Sequence, residues 1–256
     1  MIYIISNSKG GVGKTQTSVN LACLLHAQER NFKIIELDNN NDSLIFKNSD
    51  FLTTDRAISF KLDKKDSAVS DMLFDVMSDD TLDYIVDIGG GDDEQKVLDV
   101  LLPVQLPKTY LIPTLKIKKY LQNALVTYEY INDPENIFFV LNQYNKLENI
   151  KTEFRYFFGD KDMGIKPVSP VFKNAKTIYM PYSDLFQIAE DDEQTIYDLA
   201  AISKNVTEAE ARKMSFDLAA GDREKFGILL TQYNNSLEAQ KLFQEMTKST
   251  EALFQE

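Results

Sequence analysis

A single cysteine, Cys23, stands in a chain of 256 residues. One cysteine excludes an internal disulfide and any CxxC metal or redox site. It falls within an apolar stripe, where a small core residue is expected. Histidine is as scarce: His26 follows the same stripe, reads as structural, and cannot serve a distant serine or cysteine nucleophile as a base. Long apolar runs are also missing. Nothing approaches the ~20 residues of a membrane span, and no signal peptide precedes the first strand, so the chain is expected in the cytoplasm. Basic residues are outnumbered, 28 Lys and Arg against 40 Asp and Glu, for a net charge of −12. A surface of that sign disfavours indiscriminate binding to nucleic acid or anionic lipid.

Hydrophobic residues make up 43% of the chain, the content of an ordinary globular core. The length suits one sizeable α/β domain with an appendage. Charge is uneven along it. Residues 104–180 hold 11 Lys and Arg against 7 Asp and Glu, a net +4, which leaves −16 for the remainder. The middle third is therefore a candidate basic face, with Lys108, Lys116, Lys118, Lys119, Lys151, Arg155, Lys173 and Lys176 as its residues.

The chemistry-bearing stretch is Ser8-Lys9-Gly10-Gly11-Val12-Gly13-Lys14-Thr15, with Gln16 next. It follows the apolar strand candidate Ile2-Tyr3-Ile4-Ile5 and precedes a run, 18–25, with helical spacing. Strand, glycine-rich turn and helix together give a phosphate-binding loop. The glycines let backbone N–H groups converge on an anion, and the helix N-terminus adds partial positive charge. Lys14 can reach the β- and γ-phosphates, and the Thr15 hydroxyl can ligate Mg²⁺. Two features depart from the ordinary loop: Ser8 stands at its usual first glycine, and a second lysine, Lys9, opens it.

KGGVGKT resembles the deviant Walker A box of the ParA/MinD superfamily of ATPases, most of all ParA-type partition ATPases. The resemblance implies that Lys9 crosses the interface of an ATP-sandwich dimer to touch the partner's nucleotide. A lone cysteine sets the chain apart from the nitrogenase iron-protein branch, which needs cysteines to hold a cluster. Further matches run in order to about residue 200. Lys33-Ile34-Ile35-Glu36-Leu37-Asp38 reads as a second strand, with a turn at Asn39-Asn40-Asn41-Asp42. Asp38 matches the second aspartate of a family motif, while Glu36 and Asn39 replace its usual Asp and Pro. By resemblance Asp38 orients the attacking water and joins the Mg²⁺ shell. Tyr84-Ile85-Val86-Asp87-Ile88 then Gly89-Gly90-Gly91 looks like a Walker B strand and switch II loop, with Asp87 holding Mg²⁺. Asn142, ending a strand at 137–142, matches the adenine-reading asparagine, and Pro181 the backbone that packs on adenine.

Other elements are placed by periodicity: a strand at 57–62, helices at 67–77, 92–102 and 117–131, and a strand at 109–113. A last strand is expected at 168–172. Phe154, Tyr156, Phe157 and Phe158 interleave with Lys151 and Arg155, a pattern that can stack bases but more often makes a core stripe. Beyond Asn205 no family motif appears. Thr207-Glu208-Ala209-Glu210 reads as a capping box opening a helix that ends near Gly221. A second helix should be interrupted at Asn234-Asn235, with a third over 238–256. From Ala200 onward there are 7 basic and 9 acidic residues, which suits packing on the body or a partner rather than holding a membrane.

The expected fold is α/β, the mostly parallel doubly wound sheet of a P-loop NTPase, with an ATPase domain over 1–204 and a helical C-terminal extension over 205–256. The implied activity is hydrolysis of ATP with Mg²⁺ by a chain that cycles between monomer and ATP-bound dimer. Lys9, Lys14 and Asp38 would be its catalytic residues. Its nucleotide contacts would be residues 9–16 (Lys9, Gly10, Gly11, Val12, Gly13, Lys14, Thr15 and Gln16) with Asn142 and Pro181; its metal residues would be Thr15, Asp38 and Asp87. The role that follows is segregation or positioning of plasmid or chromosomal DNA. Partners would be a second copy, a small adaptor or centromere-binding protein that stimulates hydrolysis, and non-specific DNA on the 104–180 face, with nucleoid association as the consequence. Rival readings are a conjugative-transfer accessory ATPase, a positioning ATPase for a protein cargo, a non-hydrolysing nucleotide-gated module, and an ATP-dependent synthetase such as dethiobiotin synthetase. Lys9 disfavours the last.

Overall fold

A computed structural model describes residues 1–38, 46–62, 67–79 and 81–255. Strands β1 (Ile2–Ile5), β2 (Phe32–Leu37), β3 (Ala57–Phe60), β4 (Asp83–Ile88), β5 (Lys108–Thr114), β6 (Ile137–Tyr144) and β7 (Lys176–Pro181) form one sheet, in the order β3-β2-β4-β1-β5-β6-β7. Every pairing is parallel. Helices lie between most of the strands, as parallel crossovers require, and after the last one. They are α1 (Lys14–Ala27), α2 (Ser67–Ser78), α3 (Asp92–Leu101), α4 (Lys118–Ile131), α5 (Ile150–Glu153), α6 (Arg155–Phe158), α7 (Leu185–Asp191), α8 (Ile196–Ala201), α9 (Glu208–Ala219) and α10 (Arg223–Ser249).

The inner strands β1, β2, β4 and β5 are buried on both faces over most of their length, which is why they read as continuous apolar runs rather than alternating ones. Ile2, Ile4, Val86 and Ile88 pack against Val69 and Met72 of α2, Val97 and Leu98 of α3, and Leu121 of α4. Tyr3, Ile5, Ile34 and Ile85 face the other way, onto Leu21 and Leu24 of α1, Leu199 of α8, and Leu242 and Met246 of α10. Cys23 is buried in this second core. His26 stacks on Phe51 at 4.3 Å, a structural role as its position in the stripe implied.

Two expectations fail. Residues 168–172 are not a strand: Pro170–Lys173 forms a 3₁₀ turn, capped by the Ser169 hydroxyl, which accepts from the Val171 N–H at 3.3 Å. Pro170 has no N–H to give a ladder, and Phe172 is drawn instead onto Phe157, 4.3 Å between ring centres. The last strand is β7. Asn234-Asn235 does not interrupt the C-terminal helix either; α10 runs unbroken through both. Asparagine is only a weak helix former, and the next residue anchors the turn, since Ser236 Oγ accepts from the Ser203 N–H at 2.8 Å. Phe154 and Phe157 are buried, so they are core and not open to bases. The turn expected at 39–42 lies outside the described residues.

The amino-terminal edge of the sheet is tied by one forked ion pair. Arg30 Nε and Nη2 donate to the two Asp83 oxygens, each at 2.7 Å, and the Met1 ammonium lies 3.4 Å away. Asp83→Ala strands a partly desolvated guanidinium and should lower unfolding free energy by about 2 kcal/mol in a urea titration. Lys47→Ala, which breaks the exposed pair to Glu193, should change it by less than about 0.5 kcal/mol.

Candidate functional site

The carboxyl edge of the sheet gathers the motif residues. β1 and β4 end side by side, with Ile5 in register with Asp87, and β2 places Glu36 in register with Asp87 from the other side. The loop after β1 turns sharply into α1. Gly11 and Gly13 take φ of 73° and 87°, the left-handed region that glycine alone enters freely. Ser8 is not among the left-handed residues, so a side chain is tolerated where the loop usually has its first glycine. Gly13 caps α1 without a side-chain bond, and the first turn of α1 has no acidic residue. The first N–H groups of the helix therefore face the cleft without an internal anion.

Gly10, Gly11, Gly13, Lys14, Thr15 and Gln16 line a cleft of about 430 Å³ with Glu36, Asp38, Asp87 and Gly89-Gly90-Gly91. The Lys14 ammonium donates to the carbonyls of Asn7 at 3.3 Å and Lys9 at 3.5 Å. Burial pulls its pKa below the usual lysine value, against the opposing pull of Asp87, Glu94 and Asp38. Gly89 is required for close approach: its N–H donates to the Leu37 carbonyl at 2.8 Å, and a Cβ there would meet that oxygen at 3.1 Å and Asp38 Cγ at 3.2 Å. Asp38 is thereby seated against the start of the triple-glycine loop.

Asp87 is buried, and burial pushes its carboxyl up to about 7, opposed by the Thr15 hydroxyl and the Lys14 charge. Its Oδ2 has no hydrogen-bond partner among the described residues. An orphaned buried carboxylate oxygen beside a threonine hydroxyl is a donor set that fits a hard divalent cation such as Mg²⁺. Glu36, also buried, accepts from Ser59 Oγ at 2.6 Å.

A second hollow of about 340 Å³ continues past Gly13 and Gln16, lined by Asn20, Asn142, Gln143, Met180, Pro181 and Tyr182 among others. Asn142 Nδ2 donates to the Val12 carbonyl at 2.8 Å, while its buried Oδ1 has no partner among the described residues. The structure thus brings together the expected residues: 9–16 on one loop, Asp38 and Asp87 across the cleft, Asn142 and Pro181 at its far end. The basic residues are not gathered in the same way. Lys108 and Lys176 begin β5 and β7 at the opposite edge of the sheet, where they donate to the Leu101 and Glu135 carbonyls. Lys116, Lys118 and Lys119 follow the carboxyl end of β5, with Lys116 paired to Glu153 at 2.8 Å.

Glu94 was not singled out by its sequence. It accepts from Ser6 Oγ at 2.5 Å and Thr127 Oγ1 at 3.0 Å beneath the loop. A glutamate in a helix's first turn reads as an ordinary dipole partner, so only the strand it points toward could have marked it.

A sequence model described as the CobQ/CobB/MinD/ParA nucleotide binding domain matches residues 3–254. No curated protein matches the sequence. Among solved structures, the MinD cell division protein of Aquifex aeolicus overlays with a TM-score of 0.51 at 14% identity, covering 79% of this chain and 89% of that one. The MinC:MinD cell division protein complex of the same organism gives 0.51 at 17% identity over 76% and 87%. A plasmid partition protein of Borrelia burgdorferi bound to AMPPNP gives 0.45 at 16% over 94% and 98%. At such identities the likeness bears on the fold alone.

Gly13→Ala combines a left-handed φ with a Cβ placed 2.7 Å from Asn142 Nδ2. It should weaken Mg-ADP binding by at least about tenfold in a calorimetric titration, because the loop and the far hollow are displaced together. Asp87 supplies a pH test. Its folded pKa lies above the ordinary value of 3.8, so ionising it in the nucleotide-free cleft costs stability, fully above about 7 and less as pH falls through that value. Asp87→Asn should therefore raise the chelator-treated chain's melting temperature most on the alkaline side, with the gain shrinking as pH falls.

Proposed function

Because the chain belongs to the CobQ/CobB/MinD/ParA nucleotide-binding family, we propose that it is a Mg²⁺-dependent ATPase that cycles between monomer and ATP-sandwich dimer to position DNA or another large cargo. One arrangement carries this reading: Lys14 on a glycine loop that Lys9 opens, in a cleft that Lys14, Asp38 and Asp87 line, with Lys9 outside that lining, and a neighbouring hollow at Asn142. Phosphoryl transfer asks mainly for positioning and charge stabilisation, and these residues supply both. Loop amides and Lys14 bind the phosphates. Thr15 and Asp87 would hold Mg²⁺, which neutralises charge on the β- and γ-oxygens. Asp38 orients the attacking water, and Lys9 reaches the nucleotide of a second copy.

The far hollow selects the base. Asn142 has its amide N–H on Val12, and its buried Oδ1 has no partner among the described residues. On the resemblance that matches Asn142 to an adenine-reading asparagine, ATP is the proposed substrate.

The cargo is the finer question. Non-specific DNA would meet the group at the carboxyl edge, Lys116, Lys118, Lys119, Lys151 and Arg155, rather than the whole 104–180 segment, since Lys108 and Lys176 lie at the other edge. Two copies side by side double the phosphate contacts and steepen the salt dependence. An adaptor that stimulates hydrolysis is the expected protein partner. Among the described residues no helix is long and apolar enough to cross a membrane.

Lys14→Ala should weaken ATP binding itself, whereas Lys9→Ala should still bind nucleotide yet fail to dimerise with ATP by light scattering. Normal dimerisation of Lys9→Ala would remove the cross-dimer role. Asp38→Ala should bind Mg-ATP and persist as a dimer, its turnover lowered by about a hundredfold or more in a phosphate-release assay. Duplex DNA titrated with ATP and with ADP at several salt concentrations decides the cargo: retention only with ATP, fading as salt rises, supports DNA, and no retention at low salt assigns a protein cargo.

A further inference from the structure

Glu94 is buried, 6% exposed, and takes no part in the chemistry proposed for the cleft. It sits in the first turn of α3, three residues after Gly91. One of its oxygens receives both the Ser6 hydroxyl, at 2.5 Å, and the Thr127 hydroxyl of α4, at 3.0 Å. Thr127 Oγ1 in turn accepts from the Ser8 N–H at 3.4 Å. The Ser8 carbonyl accepts from the Gly91 N–H at 3.0 Å. Both backbone groups of Ser8 are therefore held by the triple-glycine loop and the helices that follow it.

Lys9 comes next. Its own N–H donates to Asn7 Oδ1 at 2.8 Å, and Asn7 Nδ2 donates to the Pro113 carbonyl at 2.7 Å. The phosphate loop is thus anchored in two separate limbs. Its trailing limb, from Val12 to Thr17, is set by α1 and by Asn142, which bonds the Val12 carbonyl and Thr17 Oγ1. Its leading limb, from Ser6 to Lys9, is set by Glu94 through two hydroxyls. A buried carboxylate with two hydroxyl donors is a stiff anchor, because charge-assisted bonds in a dry site are short and strong.

Taking Lys9 as the residue that reaches a second copy, we infer that Glu94 is a positioning residue for it: by fixing Ser6 to Lys9 onto α3 and α4, it sets where the second lysine is presented to the dimer partner. Mg-ADP in a monomer draws mainly on the trailing limb and on Lys14, whose ammonium also bonds the Asn7 and Lys9 carbonyls, so it feels this anchor less than the dimer contact does. Dimerisation depends on it.

The test uses the full chain, with wild type first shown to bind Mg-ADP and to dimerise with ATP. Glu94→Ala is expected to weaken ATP-dependent dimerisation by about tenfold or more beyond whatever it costs in Mg-ADP affinity. Glu94→Gln keeps an oxygen for both hydroxyls and should restore dimerisation to within about threefold of wild type. Equal weakening of Mg-ADP binding and dimerisation by Glu94→Ala would mean a general collapse of the loop and overturn the inference, as would no effect on either. If Glu94→Ala does not fold, Thr127→Val removes the Thr127 bonds to Glu94 and Ser8 and leaves the Ser6 bond in place: dimerisation weakened more than Mg-ADP affinity supports the inference, and unchanged dimerisation overturns it. A wild type that binds Mg-ADP but stays monomeric with ATP removes the dimer reading itself and the inference with it. A dimerising wild type with an indifferent Glu94→Ala removes the inference only.

Discussion

One buried lysine ammonium, that of Lys14, sits among the carboxylates of Asp87, Glu94 and Asp38 at the carboxyl edge of a parallel sheet. Charges so poorly hydrated must be balanced locally, or the fold drives them neutral. Without nucleotide the balance is incomplete: burial depresses Lys14 and raises Asp87 to about 7, and one Asp87 oxygen is orphaned among the described residues. The protein thus carries a site whose charge is completed only from outside. A phosphate satisfies the lysine and the loop amides, and a divalent cation satisfies the aspartate. Strand order makes this possible, because β1 lies between β4 and β5 and delivers the loop beside Asp87 without any long excursion.

The departures from the usual motif become intelligible against that geometry. Ser8 replaces a glycine at a position whose backbone is not left-handed, so the substitution carries no strain there, and its N–H and carbonyl remain available for anchoring. Gly89-Gly90-Gly91 follows Asp87 at the carboxyl edge. Gly89 is demanded by its contact with Leu37 and Asp38, and Gly91 by a φ of 72°. Glu36 extends one methylene further than the usual aspartate and is stabilised by Ser59 across β3.

Much of the fold was legible in the sequence because the inner strands are buried on both sides and the glycine loop marks the switch from strand to helix. Residues 9–16, Asp38, Asp87 and Asn142 converge in the structure as motif order implied. What was not legible depended on tertiary contacts. The 168–172 run has strand-like composition, yet Pro170 and the pull of Phe157 on Phe172 turn it into a 3₁₀ segment. Asn234-Asn235 looked like a break, yet the continuity of α10 is decided by its packing on α8 and β7 through Ser236, Leu242 and Met246. Glu94 has no local signature, since its meaning lies in Ser6, 88 residues away, and in Thr127.

The two faces of the sheet divide the labour. The face covered by α1, α7, α8 and α10 builds the far hollow, whose lining from Met180 to Glu190 is backed by core residues such as Leu185 and Ala189. The opposite face carries α2, α3 and α4, and with them the triple-glycine loop, Glu94, Thr127 and the lysines at the start of α4. Gly90 and Gly91 line the cleft just before α3 begins, so a third phosphate group there would be felt first on that second face. Any partner that must distinguish ATP from ADP therefore has reason to engage α3 and α4, where the state of the cleft is mechanically linked to the surface by short hydrogen bonds. The α10 side is tied to the sheet by Glu245, which accepts from the Tyr144 hydroxyl on β6 at 2.7 Å, and by Ser249 Oγ, which donates to the Tyr179 carbonyl on β7 at 2.6 Å; neither bond involves the phosphate loop.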